Sequence, residues 1–339
     1  LQKILSKRLY IAIALIFLFA NIRVDPDGIQ ALTYSVPPFI GLIQKLSLYI
    51  VILLLIYSNW RVILYKDNNY ASPATIFNIV FFVILLISGD YSADNFTARF
   101  IVILLIGYYF YKVIPSLNPD KVLLYVCYGL AAFSILNFIA YFFIPTTMWK
   151  GRLFGLTSHP NFTGLGSAFS AIFALYHFYI SKKKKFLIFL VVSLLVCIFS
   201  GSRTALASFI LGLGYLFWFK ANSFSTRILI VSLFLLGGIF LLTIDFDISQ
   251  LDYENRGNTR EGAWASMMET VLEIPIFGNG KVGKSENSYL YAIVATGFFG
   301  AFFLFKNIVK LISNFGFKRK IENNKLLLMR MLLLATLFA

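Results

Sequence analysis

Four arginines, Arg152, Arg203, Arg256 and Arg260, stand beside apolar runs in a chain where charged side chains are scarce. Arginine is costly near hydrocarbon, and where it occurs there it generally marks a site. The ligand such a cluster suits is a phosphate or pyrophosphate group. The surrounding stretches read G-R-L-F-G-L-T-S-H-P-N for Arg152, S-G-S-R-T-A-L for Arg203 and E-N-R-G-N-T-R-E-G-A-W for Arg256 and Arg260.

Each arginine has a chemical reading and a plainer one. Ser200-Gly201-Ser202 interrupts two apolar runs that are each short for a membrane crossing. Irregular backbone at membrane depth persists only where it is buried in protein or lines a polar cavity. Arg203 would then open the next helix, where N–H groups and the helix dipole already favour an anion; the plainer reading is a tight turn with its arginine among headgroups. Arg256 and Arg260 are four residues apart at the start of a segment in which Trp264, Met267, Met268 and Val271 recur at helical spacing, with Thr259 as a cap. Basic residues in a first turn oppose the dipole, which a bound anion would offset; salt bridges to Asp252, Glu254 or Glu261 would serve as well.

Further polar residues flank these arginines. His159-Pro160-Asn161 reads as a helix start, with His159 or Asn161 either capping it or binding sugar hydroxyls. Glu286 precedes Asn287, Ser288 and Tyr289 at the edge of an apolar run. A carboxylate at a low-dielectric boundary can have its proton affinity raised and act as a general base, or it can be an ordinary solvated side chain. His177 reads as structural. Lys45 lies within an apolar run and either snorkels outward or points into a cavity.

The elements that position these residues are membrane helices. Of the 339 residues, 59% are hydrophobic and 13% charged, a balance that belongs to polytopic membrane proteins. Apolar runs fall near 9–22, 39–60, 73–89, 96–114, 122–144, 161–180, 186–200, 204–219, 228–244, 288–305 and 326–339. We therefore expect an all-α polytopic membrane protein with about eleven transmembrane helices, since strand barrels would show alternation instead. The whole chain, 1–339, reads as one integral membrane domain. The chain opens on leucine and stops within an apolar run, so we expect it to be trimmed at both ends.

Twenty of the 30 Lys and Arg residues, with only Asp67, Asp120 and Glu322 among the acids, alternate consistently onto one face. By the positive-inside rule that face is cytoplasmic and the N-terminus starts there. The net charge of +15 is therefore topological and does not point to nucleic acid. Lys182–Lys185 reads as a cytoplasmic stop signal. Two outer segments remain, 145–160 and a large periplasmic loop at 245–287 containing the amphipathic helix; long ordered loops are usually functional. Cys127 and Cys197 lie inside apolar runs and offer neither a disulfide framework nor a zinc site. No G-x-x-x-x-G-K-[ST] loop, H-E-x-x-H or cysteine ligand set occurs, and no cytoplasmic domain stands ready for a nucleotide sugar. A glycosyl donor would have to come from the membrane.

From Arg152 to Gly300 the chain resembles the O-antigen ligase and polysaccharide polymerase superfamily of bacterial inner membranes. The matching features, in order, are G-x-x-x-H-P-N, S-G-S-R-T-A-L, an arginine-bearing outer loop ending P-x-x-G-x-G, and x-N-S-Y-L running into a helix with Gly297 and Gly300. The resemblance implies a bundle of ten to fourteen helices and a metal-independent, inverting glycosyltransferase without a cofactor. It implies an undecaprenyl-pyrophosphate-linked glycan as donor, a glycan acceptor, and a site facing the periplasm or cell exterior. Arg203 with Arg256 and Arg260 would hold the pyrophosphate, which gains charge as it leaves, so that fixed cations favour the transition state. Arg152, His159, Asn161, Ser200, Ser202, Asn287 and Tyr289 would line the substrate.

Ligases usually carry histidine before the asparagine of the last motif, whereas this chain has Glu286, which looks more like the repeat-unit polymerases. The expectation is therefore a polymerase building O-antigen, capsule or exopolysaccharide, with Glu286 as base. A ligase transferring finished glycan to lipid A core or another acceptor is the alternative. A flippase and a chain-length regulator are the partners this implies besides the lipid bilayer. A lipid-linked glycan transporter would need charged residues deep in several helices, and the sequence places mainly Lys45 there.

Overall fold

The fold is given by a computed structural model that describes residues 2–22, 38–60, 106–107, 109–149, 151–157, 159–220, 259–278, 288–315 and 324–338. The protein is predominantly helical, and among the described residues three helices are long and apolar enough to cross a membrane: Pro38–Ser58, Pro119–Phe143 and Ala292–Ser313. Eight of the eleven apolar runs coincide with helices. The runs near 73–89 and 228–244, and most of that near 96–114, lie outside the described residues, as does much of the 245–287 loop.

In chain order the elements are α1 (Gln2–Asn21), α2 (Pro38–Trp60), α3 (Pro119–Phe143), β1 (Met148–Trp149), β2 (Arg152–Leu153), α4 (Pro160–Ser181), α5 (Lys184–Phe199), α6 (Arg203–Lys220), α7 (Thr259–Glu273), α8 (Ser288–Phe315) and α9 (Asn324–Phe338). A π turn at Tyr109–Val113 and a 3-10 turn at Ile114–Ser116 precede α3. The chain divides into two compact units: Leu1–Ser58, Ile114–Leu251 and Lys320–Ala339 form the first, Asn59–Val113 and Asp252–Arg319 the second.

In the first unit α3 packs against α1, α4 and α5, and α4 also against α6 and α9. Local sequence sets the helix starts. Asn118 caps α3, its Oδ1 accepting from the Asp120 and Lys121 amides at 3.0 and 3.3 Å, with Pro119 first in the helix and Asp120 in its first turn. Small residues then decide how closely the helices approach. Gly129 of α3 lies against the Ala14 carbonyl of α1, where a side chain would collide. Gly164, Gly166, Ser167, Ala168, Ser170, Ala171 and Ala174 are buried along α4. In lipid, where apolar burial offers little drive between helices, such close backbone packing is a main source of association. Buried hydroxyls pair across the seams, Ser170 with Ser193 at 2.7 Å and Ser134 with Ser167 at 3.4 Å.

The first unit has two chemically distinct ends. At one, the Asn118 amide donates to the Tyr10 hydroxyl at 3.0 Å, Lys325 pairs with Asp120 at 2.9 Å, and the lysine run joins α4 to α5. This gathers Lys121, Lys182–Lys185 and Lys325 at one end of the unit. The other end holds the 145–160 segment and the α5–α6 joint. Arg330 is not at either surface: it is 2% exposed within α9 and donates Nη1 to the Tyr215 hydroxyl of α6 at 2.9 Å.

In the second unit α7 lays Met267 and Val271 on Leu290, Ile293 and Val294 of α8. The apolar spacing noted from Trp264 onward does form a helix, which ends before Pro275. α8 is broken at Gly297 (φ 63°, ψ −173°), a backbone conformation essentially restricted to glycine. The Pro275–Gly278 turn fills the break, its Pro275 and Ile276 carbonyls accepting from the Phe298 and Phe299 amides at 2.8 and 3.0 Å.

Candidate functional site at the joint of two short helices

The site begins with a loop that folds back into the bundle. After α3 the chain makes the β1–β2 hairpin, with Met148 opposite Leu153 and Trp149 opposite Arg152. Leu153, Phe154, Leu156 and Thr157 are then buried. A buried loop must find partners for its backbone polar groups, and here side chains supply them. Asn137 Oδ1 accepts from the Leu156 amide at 2.8 Å, and Gln44 Nε2 donates to the Leu156 carbonyl at 3.1 Å. Phe154 O accepts from the hydroxyls of Thr157, at 2.9 Å, and Thr163. Gly155 (φ 60°) passes so close to Asn137 that any side chain would collide with its amide oxygen.

Arg152 ties this loop to two other elements. It is 8% exposed, its Nε donating to the Ser200 carbonyl at 2.9 Å and its Nη2 to Asn161 Oδ1 at 2.8 Å. One guanidinium therefore joins the hairpin, the first turn of α4 and the joint between α5 and α6. Gly201 (φ 58°) completes that joint; a Cβ there would lie 3.1 Å from Arg152 Nε. Gly164 lets α4 approach both serines of the joint.

The joint itself is a built helix start. Ser202 is buried and its Oγ accepts from the Ala205 amide at 3.3 Å, the bond expected of a capping serine. Ser200 Oγ donates to the Cys197 carbonyl at 2.6 Å, closing α5. Arg203 is the first residue of α6, exposed, in a first turn that holds no acid. His159 caps α4 through Nδ1, which accepts from the Asn161 amide at 3.1 Å. The positive end of the α6 dipole and the Arg203 charge thus face the same side, an arrangement suited to an anion.

Of the predicted site residues, the fold brings Arg152, Asn161 and Ser200 into direct contact, with His159, Ser202 and Arg203 adjoining them. Arg256, Glu286 and Asn287 lie outside the described residues. Arg260 falls in the first turn of α7 and Tyr289 in the first turn of α8; their side chains are outside the description. Lys45 is exposed on α2 rather than turned into the first unit. His177 stacks on Phe186, ring centroids 5.2 Å apart, at the lysine-bearing end away from the joint.

Sequence reasoning passed over Asn137, Gln44, Thr157 and Thr163, which hold the loop in place. The signal for the first two was an amide inside an otherwise apolar run. Among the described residues no group of three or more His, Cys, Asp or Glu side chains is arranged to hold a metal ion. No protein-family model matches the chain, and comparisons with curated proteins and with solved structures find no match.

Proposed function

We propose that the chain is a bacterial inner-membrane glycosyltransferase that polymerises undecaprenyl-pyrophosphate-linked repeat units at the outer face of that membrane. The observation that carries the reading is the joint between α5 and α6. An exposed arginine opens a helix there, and a buried arginine holds the turn beneath it. A simple surface turn has no need of a second, desolvated guanidinium, whereas a site that must present a fixed positive charge gains from rigid support.

In the proposed reaction the acceptor hydroxyl oxygen attacks the anomeric carbon of the donor glycan. Its proton passes to the Glu286 carboxylate, and the bond from the anomeric carbon to the pyrophosphate oxygen breaks with its electron pair leaving on undecaprenyl pyrophosphate. Arg203 meets the charge that grows on that oxygen, and Arg256 and Arg260 share the pyrophosphate. His159, Asn161, Ser200, Ser202, Asn287 and Tyr289 orient the sugars and the turn. Within this reading Arg152 serves as a positioning residue.

The test is complementation of a strain lacking the corresponding gene, with glycan length read on a gel. Arg203→Ala, made at normal levels, should cut elongation on the order of 10²-fold, as removal of a transition-state donor does; full-length glycan would sink the pyrophosphate role. Glu286→Gln should leave single repeat units on the acceptor while donor binding survives. Long glycan left on the carrier in place of single units would identify the ligase reaction.

A further inference from the structure

We infer that the lysine-bearing end of the first unit is a binding site for the phosphate of anionic phospholipid headgroups, seated on Lys182, Lys185 and Tyr128. This rests on the membrane placement of the helices and is independent of the glycosyl-transfer reading. Lys121 and Lys182–Lys185 are all exposed at this end. Among the described residues the carboxylate recorded in an ion pair there is Asp120, and its partner is Lys325. Among the described residues no second ion pair is recorded at this end.

These lysines are held rather than splayed. Lys185 Nζ donates to the Tyr128 hydroxyl at 2.6 Å and lies 4.9 and 5.0 Å from the ring centroids of Tyr128 and Phe186. Lys182 takes a left-handed backbone (φ 55°) that places its ammonium 5.1 Å from the Tyr179 ring. Tyr128 is itself fixed by stacking on Phe186 and by an edge contact to Tyr125, which stacks on Tyr10. The aromatic series runs across α1, α3 and α5, so the ammonium groups have set positions before any ligand arrives. Cations standing on aromatic faces keep their remaining N–H groups directed outward.

Depth and dipole point the same way. α5 has 16 residues, about 24 Å of helix, which is shorter than the roughly 30 Å hydrocarbon core. Lysines at the end of so short a span reach the headgroup phosphates by snorkelling. They also occupy the first turn of α5, which has no acid and whose capping residue, Lys183, makes no side-chain capping bond. Positive side chains at the positive end of a helix dipole are unfavourable alone and favourable around a bound anion. Basic pockets between membrane helices recognise acidic lipid headgroups on this principle.

The test is thermal unfolding of the full chain, purified in neutral detergent and titrated with phosphatidylglycerol, phosphatidylethanolamine or inorganic phosphate. Phosphatidylglycerol should raise the unfolding temperature saturably, while the other two leave it unchanged. The Lys182→Gln, Lys185→Gln double variant should need on the order of 20-fold more phosphatidylglycerol for the same shift, about fivefold per lysine. An equal shift with phosphatidylethanolamine would reduce the effect to apolar solvation, and one with inorganic phosphate would make the ligand a soluble anion; either overturns the inference. So would an unchanged titration of the double variant. Should that variant not fold, Tyr128→Phe removes only the oxygen that aims Lys185 and should weaken the titration roughly threefold, one hydrogen bond's net worth; no weakening would equally overturn it.

Discussion

Two interruptions of helical backbone, the turn between α5 and α6 in the first unit and the kink within α8 in the second, are repaired in opposite ways. At the α5–α6 joint side chains make the repair: Ser202 caps the new helix and the Arg152 guanidinium takes up the Ser200 carbonyl. At Gly297 of α8 backbone makes it, as the Pro275 and Ile276 carbonyls receive the amides freed by the kink. The first repair leaves charge at the break and an exposed arginine beside it. The second closes the break with peptide groups, Phe277 packing on Phe299 with centroids 5.9 Å apart. An interruption of helical backbone is thus not in itself a chemical site; what matters is whether polar side chains or a neighbouring turn satisfy it.

The largest effect should come from closing the backbone-repaired break to glycine. Gly297→Val would require a left-handed, extended backbone that branched residues do not tolerate, and its Cβ would collide with the Ile276 carbonyl. We expect loss of folded protein, read as disappearance of the monodisperse peak in size-exclusion chromatography; a normal peak would mean that the backbone repair is dispensable.

Next is Arg152→Ala, which strips two buried acceptors of a charged donor and should lower stability by about 2–4 kcal/mol. Arg152→Lys should recover little, because one ammonium cannot span both acceptors as the guanidinium fork does. Arg203→Ala should change stability by less than about 0.5 kcal/mol, as for an exposed residue, while cutting elongation on the order of 10²-fold. Thermal unfolding of the three variants side by side checks this. Equal destabilisation by Arg152→Ala and Arg203→Ala would erase the distinction between support and presentation. The smallest effect is Ser202→Ala, a lost cap costing about 1 kcal/mol, again read by thermal unfolding.

Much of this was legible in the sequence where the cause is local. Pro160 after His159 announced the start of α4, and S-G-S before Arg203 announced that α6 opens on an arginine, because capping and chain reversal depend on a few adjacent residues. The role of Arg152 was not legible. Its partners lie 9 and 48 residues away, and charge pattern alone made it a ligand-binding candidate rather than a tether. The same holds for Asn137 and Gln44, whose bonds to Leu156 span 19 and 112 residues. Gly297 was noted as part of a motif, but nothing in the chain indicated that a turn some twenty residues earlier would fill its break.

The sequence by itself determined the helical character and the residues that start and stop helices. Each of these follows from composition, periodicity or neighbours within a turn. Tertiary structure alone decided which polar groups are spent inside the fold and which stay exposed. A buried donor is committed by the acceptor that happens to lie within 3 Å of it, and that acceptor is chosen by how closely glycines such as Gly164 and Gly201 let distant segments approach.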